Sequence, residues 1–332
     1  MSGATESGGA GGFRARAGAL TLLYLVTPME RSVLRAMLAE AATGVEVVDD
    51  FVPPDPEDPI DIAVITDPYM VEPADPDLGP GEIDEDTLLK PTPAGRELLV
   101  VAPVLERWLG RCPEGPLALE PDAGPVLSAL LGGWCSMVVH ALAAGPLAIE
   151  ETVEALVVLS RETVEERIGD LVEAGLLDVL PGGGGVERFA VTEWLRMAIA
   201  PLAVAARLEL RHPPGDTAPI SARDVEAAFH LTLPLLELPG EMSGTCSLAV
   251  DLDKDVPGSP AGVTVRVERG EVVSCETGLE EVVDAWAAAS AGDWLDTVIE
   301  PKVVHVRTGG NRNLARRLLH ELHELLFGVA VG

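Results

Sequence analysis

Ser160, Arg161, Thr163 and Arg167 fall within two helical turns of one another, and Arg188 follows on a separate short segment. Hydroxyl and guanidinium groups so spaced at the start of a helix can bind phosphate oxygens, and a helix seated in a major groove uses them to hold double-stranded DNA. Around them stand Glu150, Glu151, Glu154, Glu162, Glu165, Glu166, Asp170 and Glu173, so the local charge sum is negative. Phosphate neutralisation supplies most non-specific affinity. This region therefore binds duplex DNA poorly unless Arg161, Arg188 and Arg196 form a focused patch, which a homodimer would double. Two readings stay open: a DNA-contacting surface, and a packing or dimerisation module that has kept its shape.

Other reactive residues point to little chemistry. His320 and His323 lie three apart on a helical stretch and could share a metal with His305, but Glu321 and Glu324 beside them favour a solvated face, and no metal is expected. There is no GxSxG and no HExxH, and Gly182 to Gly185 lack the Lys-Ser/Thr of a phosphate loop and read as a turn. The expectation is a non-enzymatic protein with no cofactor. Arg307, Arg312, Arg316 and Arg317 form the one basic neighbourhood. The acidic insert of about 41–88 in the same chain is its favoured partner, the other candidates being the insert of another subunit, an anionic ligand or a DNA phosphate. Cys112, Cys135, Cys246 and Cys275 show no CxxC spacing, which suits a reducing cytoplasm. Cys246 and Cys275 could face each other on neighbouring strands, but buried free thiols are the preferred reading.

The elements that must position the Ser160 to Arg188 group are legible between Pro125 and Arg211. Apolar residues at helical spacing run from Val126 and Leu127 through Trp134 and Val138 to Leu142, and Gly145-Pro146 stops them. Ile149 to Val157 is a second short helix. Ser160 caps a third, Arg161 to Ala174, with Val164, Ile168, Leu171 and Val172 inward, and Gly175 ends it. Leu176 to Leu180 and Val186 to Val191 read as strands joined by Pro181 and four glycines, a hairpin with a loose tip. One amphipathic helix then starts near Thr192 and carries Trp194, Leu195, Ile199, Leu202, Ala206 and Leu210 on one face.

The chain of 332 residues fits about two or three domains. Its hydrophobic content of 47% is ample for packed cores, and no apolar run reaches the ~18 residues needed to cross a bilayer. Residues 1–17 read as a disordered lead, since Met1 to Gly12 has no apolar signal core. The net charge of -31 is unevenly spread. No basic residue lies between Arg35 and Lys90, and roughly half of the excess negative charge falls there, among many prolines. A self-repelling, proline-rich insert over about 41–88 follows, with Ile60 to Ile65 as one possible strand. It reads as a solvated loop, the other reading being DNA mimicry or capture of a basic partner. Around it, Leu20 to Leu38 is helical in period, and Thr92 through Trp108 and Leu109 repeats the pattern of Thr192 through Ala206. That is an internal duplication whose first copy, 18–112, is degenerate; the second spans 118–212.

Beyond Pro213-Pro214-Gly215, residues 216–332 change character. Val225 to Leu236 is an apolar helix, and Gly244 to Leu252, Gly262 to Glu268 and Glu271 to Thr277 alternate as three antiparallel strands. Asp284 to Ala288 leads into a helix around Ala291 to Ile299, Lys302 to Arg307 is a short strand, and Asn311 to Phe327 a closing helix. Phe229, Leu233, Leu235, Leu236, Trp286, Trp294, Leu318 and Leu322 would line an apolar pocket or fill an ordinary core; an apolar stripe marks burial and not emptiness.

Leu131-Gly-Gly-Trp134, Ala144-Gly-Pro-Leu147, Leu159 to Arg167, Leu171 to Leu177 and Thr92-Pro-Ala-Gly-Arg96 together resemble the HxlR type of winged-helix transcriptional regulator. Thr192-Glu-Trp-Leu-Arg196 departs from that last pattern. The likeness covers roughly 18–212 in two copies and is strong only in the second. The order of elements after 216 is similar to the sterol-carrier-protein-like domain, carried by Gly270-Glu-Val-Val273, Ala285-Trp286, Trp294-Leu295 and the Leu314 to Phe327 helix. The resemblance implies a multi-domain α+β fold: tandem winged helix-turn-helix domains followed by a sterol-carrier-like sheet-and-helix domain. It implies a dimeric, ligand-responsive regulator that touches DNA through Ser160, Arg161, Thr163, Arg167 and Arg188. An apolar molecule would then be sensed through Phe229, Leu233, Leu236, Trp286, Trp294, Leu318 and Leu322. The alternative is an interaction or carrier protein that keeps this fold, has lost DNA binding, and meets a basic partner with its acidic surface.

Overall fold

The computed structural model describes Leu22 and residues 71–73, 89–118, 123–131, 135–213, 219–253, 256–301 and 305–328. The expected lead over 1–17, the Leu20 to Leu38 helix apart from Leu22, the Ile60 to Ile65 strand, Trp134 and most of the acidic insert lie outside them. The described chain is a mixed α+β structure.

Strands β1 (Val71–Pro73) and β2 (Leu89–Pro91) pair antiparallel and lead into α1 (Pro93–Leu109). Thr92 caps α1 by accepting from the Gly95 amide at 3.0 Å. Helices α2 (Ala123–Leu131), α3 (Cys135–Leu142), α4 (Ile149–Ala155) and α5 (Arg161–Glu173) follow. At α4 the N-cap is Ala148, whose methyl cannot accept, so Glu151 Oε2 takes the Ala148 amide instead at 2.8 Å. Ser160 Oγ accepts from Thr163 N at 3.1 Å, and Val164, Ile168 and Leu171 bury one stripe of α5 against α2, α3 and α4.

Strands β3 (Leu177–Pro181) and β4 (Glu187–Val191) form the hairpin, its tip turned by Gly184 and Gly185 at φ 74° and 81°. Leu147 joins as a one-residue third strand through paired bonds with Phe189 of 3.2 and 2.8 Å. Thr192 then caps α6 (Glu193–Met197) as Thr92 caps α1, so the order antiparallel strand pair, threonine cap, helix occurs twice among the described residues. The sequence reading missed the first hairpin because three-residue strands ending in proline carry almost no alternation.

The single amphipathic helix expected from Thr192 is two helices. Pro201 has no amide to donate back to Met197, so the chain bends at Ala198 and restarts as α7 (Ile199–Arg211). α7 is buried on nearly every side, with α1 against it on one flank and α9 (Ala291–Ile299) on another. Its buried Arg207 holds Glu300 at 2.7 Å, and Arg211 bridges Glu97 of α1 and Asp296 of α9.

In the C-terminal part, α8 (Ala222–Thr232) precedes a sheet of β5 (Gly244–Asp251), β6 (Ala261–Glu268), β7 (Glu271–Thr277), β8 (Ala285–Ser290) and β9 (Arg307–Gly310), in the order β7-β6-β5-β8-β9. β5 and β8 run parallel and the other pairs antiparallel. β8 was read only as a lead into α9; of the strand expected over Lys302 to Arg307, residues 302–304 lie outside the described residues, and the last described strand is Arg307–Gly310. Gly309 sets that position: it faces Trp286 across the β8–β9 pair, and a Cβ there would collide with the indole. α9 and α10 (Arg312–Phe327) pack with α7 and the sheet, and the buried apolar side chains form one cluster from Leu22 and α1 to Leu326 of α10. Among the described residues no helix is long and apolar enough to cross a membrane.

Candidate ligand-binding site

A cavity of about 230 Å3 lies where the helix-and-hairpin unit meets the C-terminal unit. From the first come Leu131 of α2, Val139 of α3, Leu195 of α6 and Leu202 and Ala206 of α7. From the second come Val225 and Phe229 of α8, Val250 of β5, Trp294 of α9 and Leu322 of α10. The aromatic wall is rigid. Trp294 Nε1 donates to the Ala249 carbonyl at 2.7 Å, and its ring meets Phe229 edge-on with centroids 5.4 Å apart.

Small residues make the space. Ala198, Ala203 and Ala206 leave the α7 side of the junction shallow, and Ala228 and Ala291 do the same opposite. One corner is polar: His140 Nε2 lies 3.3 Å from Asp224 Oδ1, with side-chain exposures of 16% and 28% that put the pair at the rim rather than sealed inside. Asp224 also completes a capping box with Ser221, its Oδ2 accepting from the Ser221 amide at 2.9 Å and hydroxyl at 2.6 Å. At the other end of α8, Arg196 donates to the His230 and Leu231 carbonyls at 3.0 and 3.1 Å. The first unit thus grips α8 at both ends, and the cavity lies against the helix between the grips.

Of the apolar pocket residues expected from sequence, the structure brings Phe229, Trp294 and Leu322 together at this cavity. Leu233, Leu236 and Leu318 do not line it; they are 0%, 4% and 1% exposed and belong to the filled core. Leu235 packs against that core without reaching the cavity. Trp286 is a correction of a different kind. It pairs with Ser247, one residue out of step with the inward row of Cys246, Leu248 and Val250, and stands 41% exposed on the outer face over Gly309. The period-two alternation of a strand decides this, and reading the segment as a lead-in to a helix concealed it.

The α5 surface carries its own countercharges. Arg161 pairs with Glu150 at 3.0 Å and Glu165 at 2.6 Å; a backbone hydrogen bond first, and then Arg161, hold the Glu150 carboxyl below its usual range. Arg167 pairs with Asp170 at 2.7 Å and Glu166 at 3.1 Å. On the hairpin, Arg188 donates to Glu151 at 2.7 Å and to the Pro146 carbonyl at 3.0 Å. Arg196 does not join them, because its guanidinium is half-buried against α8 and its pKa is lowered by that burial. Ser160 and Thr163 hydroxyls lie 2.9 Å apart in the cap.

Arg307 pairs with Asp251 and Arg317 with Glu321, so two members of the basic neighbourhood find local carboxylates. His323 Nδ1 lies 2.8 Å from the Val298 carbonyl, and among the described residues no three His, Cys, Asp or Glu side chains converge on a metal-sized site. Cys246 and Cys275 flank Val265 from opposite sides, two strands apart at roughly 10 Å, beyond disulfide reach. No protein-family model matches this sequence, and no curated protein matches it.

Proposed function

We propose that this protein binds a compact apolar molecule between two units, one of winged helix-turn-helix type and one of sterol-carrier-like type, and performs no chemistry on it. The cavity of about 230 Å3 at their junction carries the reading. A dry cavity of ~150 Å3 accommodates benzene, so by proportion this one suits a molecule of about ten heavy atoms. An occupant would touch α2, α3, α6 and α7 on one side and α8, α9 and α10 on the other, so binding would tie the two units together. Thermal unfolding of the full chain with and without saturating 1-nonanol tests this. Stabilisation by about 2 to 3 kcal/mol at a hundredfold excess over Kd is expected, and its loss in Ala203→Phe, which fills the space. An equal response in a folded Ala203→Phe variant would contradict the reading.

A second reading, operator binding by a homodimer, draws support from the Ser160-capped α5 followed directly by the β3–β4 hairpin. The ion pairs of Arg161, Arg167 and Arg188 weigh against it, since phosphates would have to displace carboxylates already in place. Mobility shift on the DNA upstream of its own gene, at low and higher salt, separates the readings. A salt-sensitive complex abolished by Arg161→Ala with Arg188→Ala supports operator binding; no complex at low salt, gained only in Glu150→Gln/Glu165→Gln, supports a winged helix silenced by its own acids.

A further inference from the structure

The junction cavity has a rim open to solvent and a buried interior, and on the ligand-binding reading above this difference restricts where its occupant can carry a polar group. His140 and Asp224, the only titratable side chains of the lining, pair at 3.3 Å at the rim, where a polar group keeps contact with water. Further in, Phe229, Thr232, Val250, Trp294 and Leu322 are all buried.

Two of these buried side chains carry a hydrogen-bond donor, and both are committed to the protein's own backbone. Trp294 Nε1 donates to the Ala249 carbonyl at 2.7 Å, and the Thr232 hydroxyl donates to the Ala228 carbonyl at 2.7 Å, one turn back in α8. The backbone of this part of the wall runs within α8, β5, α9 and α10, whose amides serve the bonding of those elements. Every other lining side chain is apolar. The buried lining side chains therefore offer no free donor to an oxygen atom of a ligand. A carbonyl group held among them would give up its water without replacement, whereas one at the rim would keep it.

We infer that the cavity selects a hydrocarbon-like molecule whose polar group sits at one end, seated with that end at the His140–Asp224 rim, and discriminates against isomers with the polar group at mid-chain. The isomeric ketones 2-nonanone and 5-nonanone test it. They share one composition and one acceptor-only oxygen, and only the first can leave that oxygen at the rim while its chain fills the interior. In titration calorimetry of the full chain at pH 7.5, 2-nonanone should bind about fivefold or more tighter than 5-nonanone. Thr232→Val, of nearly equal volume, should leave both affinities within about twofold, since that hydroxyl is already used. The wild-type comparison decides the matter even if Thr232→Val does not fold. Equal binding of the two ketones, or a loss in Thr232→Val confined to 5-nonanone, overturns the orientation and leaves the cavity reading standing. Failure of 2-nonanone to bind where 1-nonanol binds does the same. Binding of none of the three overturns both.

Discussion

Trp108 and Trp194 hold each other's backbone. Trp108 Nε1 donates to the Trp194 carbonyl at 2.8 Å, Trp194 Nε1 donates to the Trp108 carbonyl at 2.9 Å, and the rings stack with centroids 4.9 Å apart. One tryptophan closes α1 and the other opens α6, so the contact fastens these two helices to each other. Arg211 and Glu97 meet at the opposite ends of α7 and α1, which makes the pairing antiparallel.

Trp108→Phe keeps most of the ring but strands the buried Trp194 carbonyl, which costs about 1 to 3 kcal/mol. Trp194→Phe removes the reciprocal bond, but the Trp108 carbonyl still accepts from the Arg111 amide at 3.0 Å, so this variant should cost less than Trp108→Phe. Because both changes disturb one stacked pair, the double variant should lose less than the sum by about 0.5 to 1.5 kcal/mol in urea unfolding. Strict additivity would mean that the two bonds act independently.

The buried His230 predicts a pH dependence. Its pKa is lowered, first by burial and then by the neighbouring Arg196 charge, and its Nε2 lies 2.9 Å from Thr277 Oγ1. The folded state thus disfavours the proton that the unfolded chain takes up near the ordinary value of about 6.5. The associated stability is fully present above that value and is lost as pH falls through the lower, folded one. Wild type should exceed His230→Gln in urea midpoint at pH 7.5, and the margin should shrink by pH 5. A margin that stays constant across that range contradicts the assignment.

Two thiols are predicted to be inert. Burial pushes both Cys246 and Cys275 up to about 12, with Glu276 adding to the effect at Cys275. At pH 8 only about one thiol in ten thousand is then a thiolate. Iodoacetamide should leave both unmodified in the native protein and label both in urea, as read by peptide mass. Native labelling at a rate near that in urea would place them at the surface.

What the sequence made legible was local. Ser160 capping α5, the glycine-tipped hairpin and the Gly270 turn between β6 and β7 each depend on residues a few positions apart, whose backbone preferences leave few alternatives. β8 was missed because an alanine run with one tryptophan has weak strand character, and only its parallel partner β5 makes it a strand. The Ala198 bend was in plain view at Pro201, overridden by an apolar period that continues across it. The cavity was legible only in part. Phe229, Trp294 and Leu322 share one stripe type with Leu233, Leu236 and Leu318, and whether such a stripe is filled depends on what packs opposite. Here the opposing face is the alanine side of α7. The His140–Asp224 corner joins elements far apart in the chain and leaves no local signature.

The junction cavity is tested most directly at its own tryptophan. Trp294 lines it, whereas Trp286 stands on the outer face of the sheet as a built-in control. In the full chain labelled with 15N, titration with 1-nonanol should shift the Trp294 indole resonance saturably and leave that of Trp286 unmoved. A Trp294 resonance that stays in place at saturating 1-nonanol, or moves no more than that of Trp286, would contradict binding between the two units.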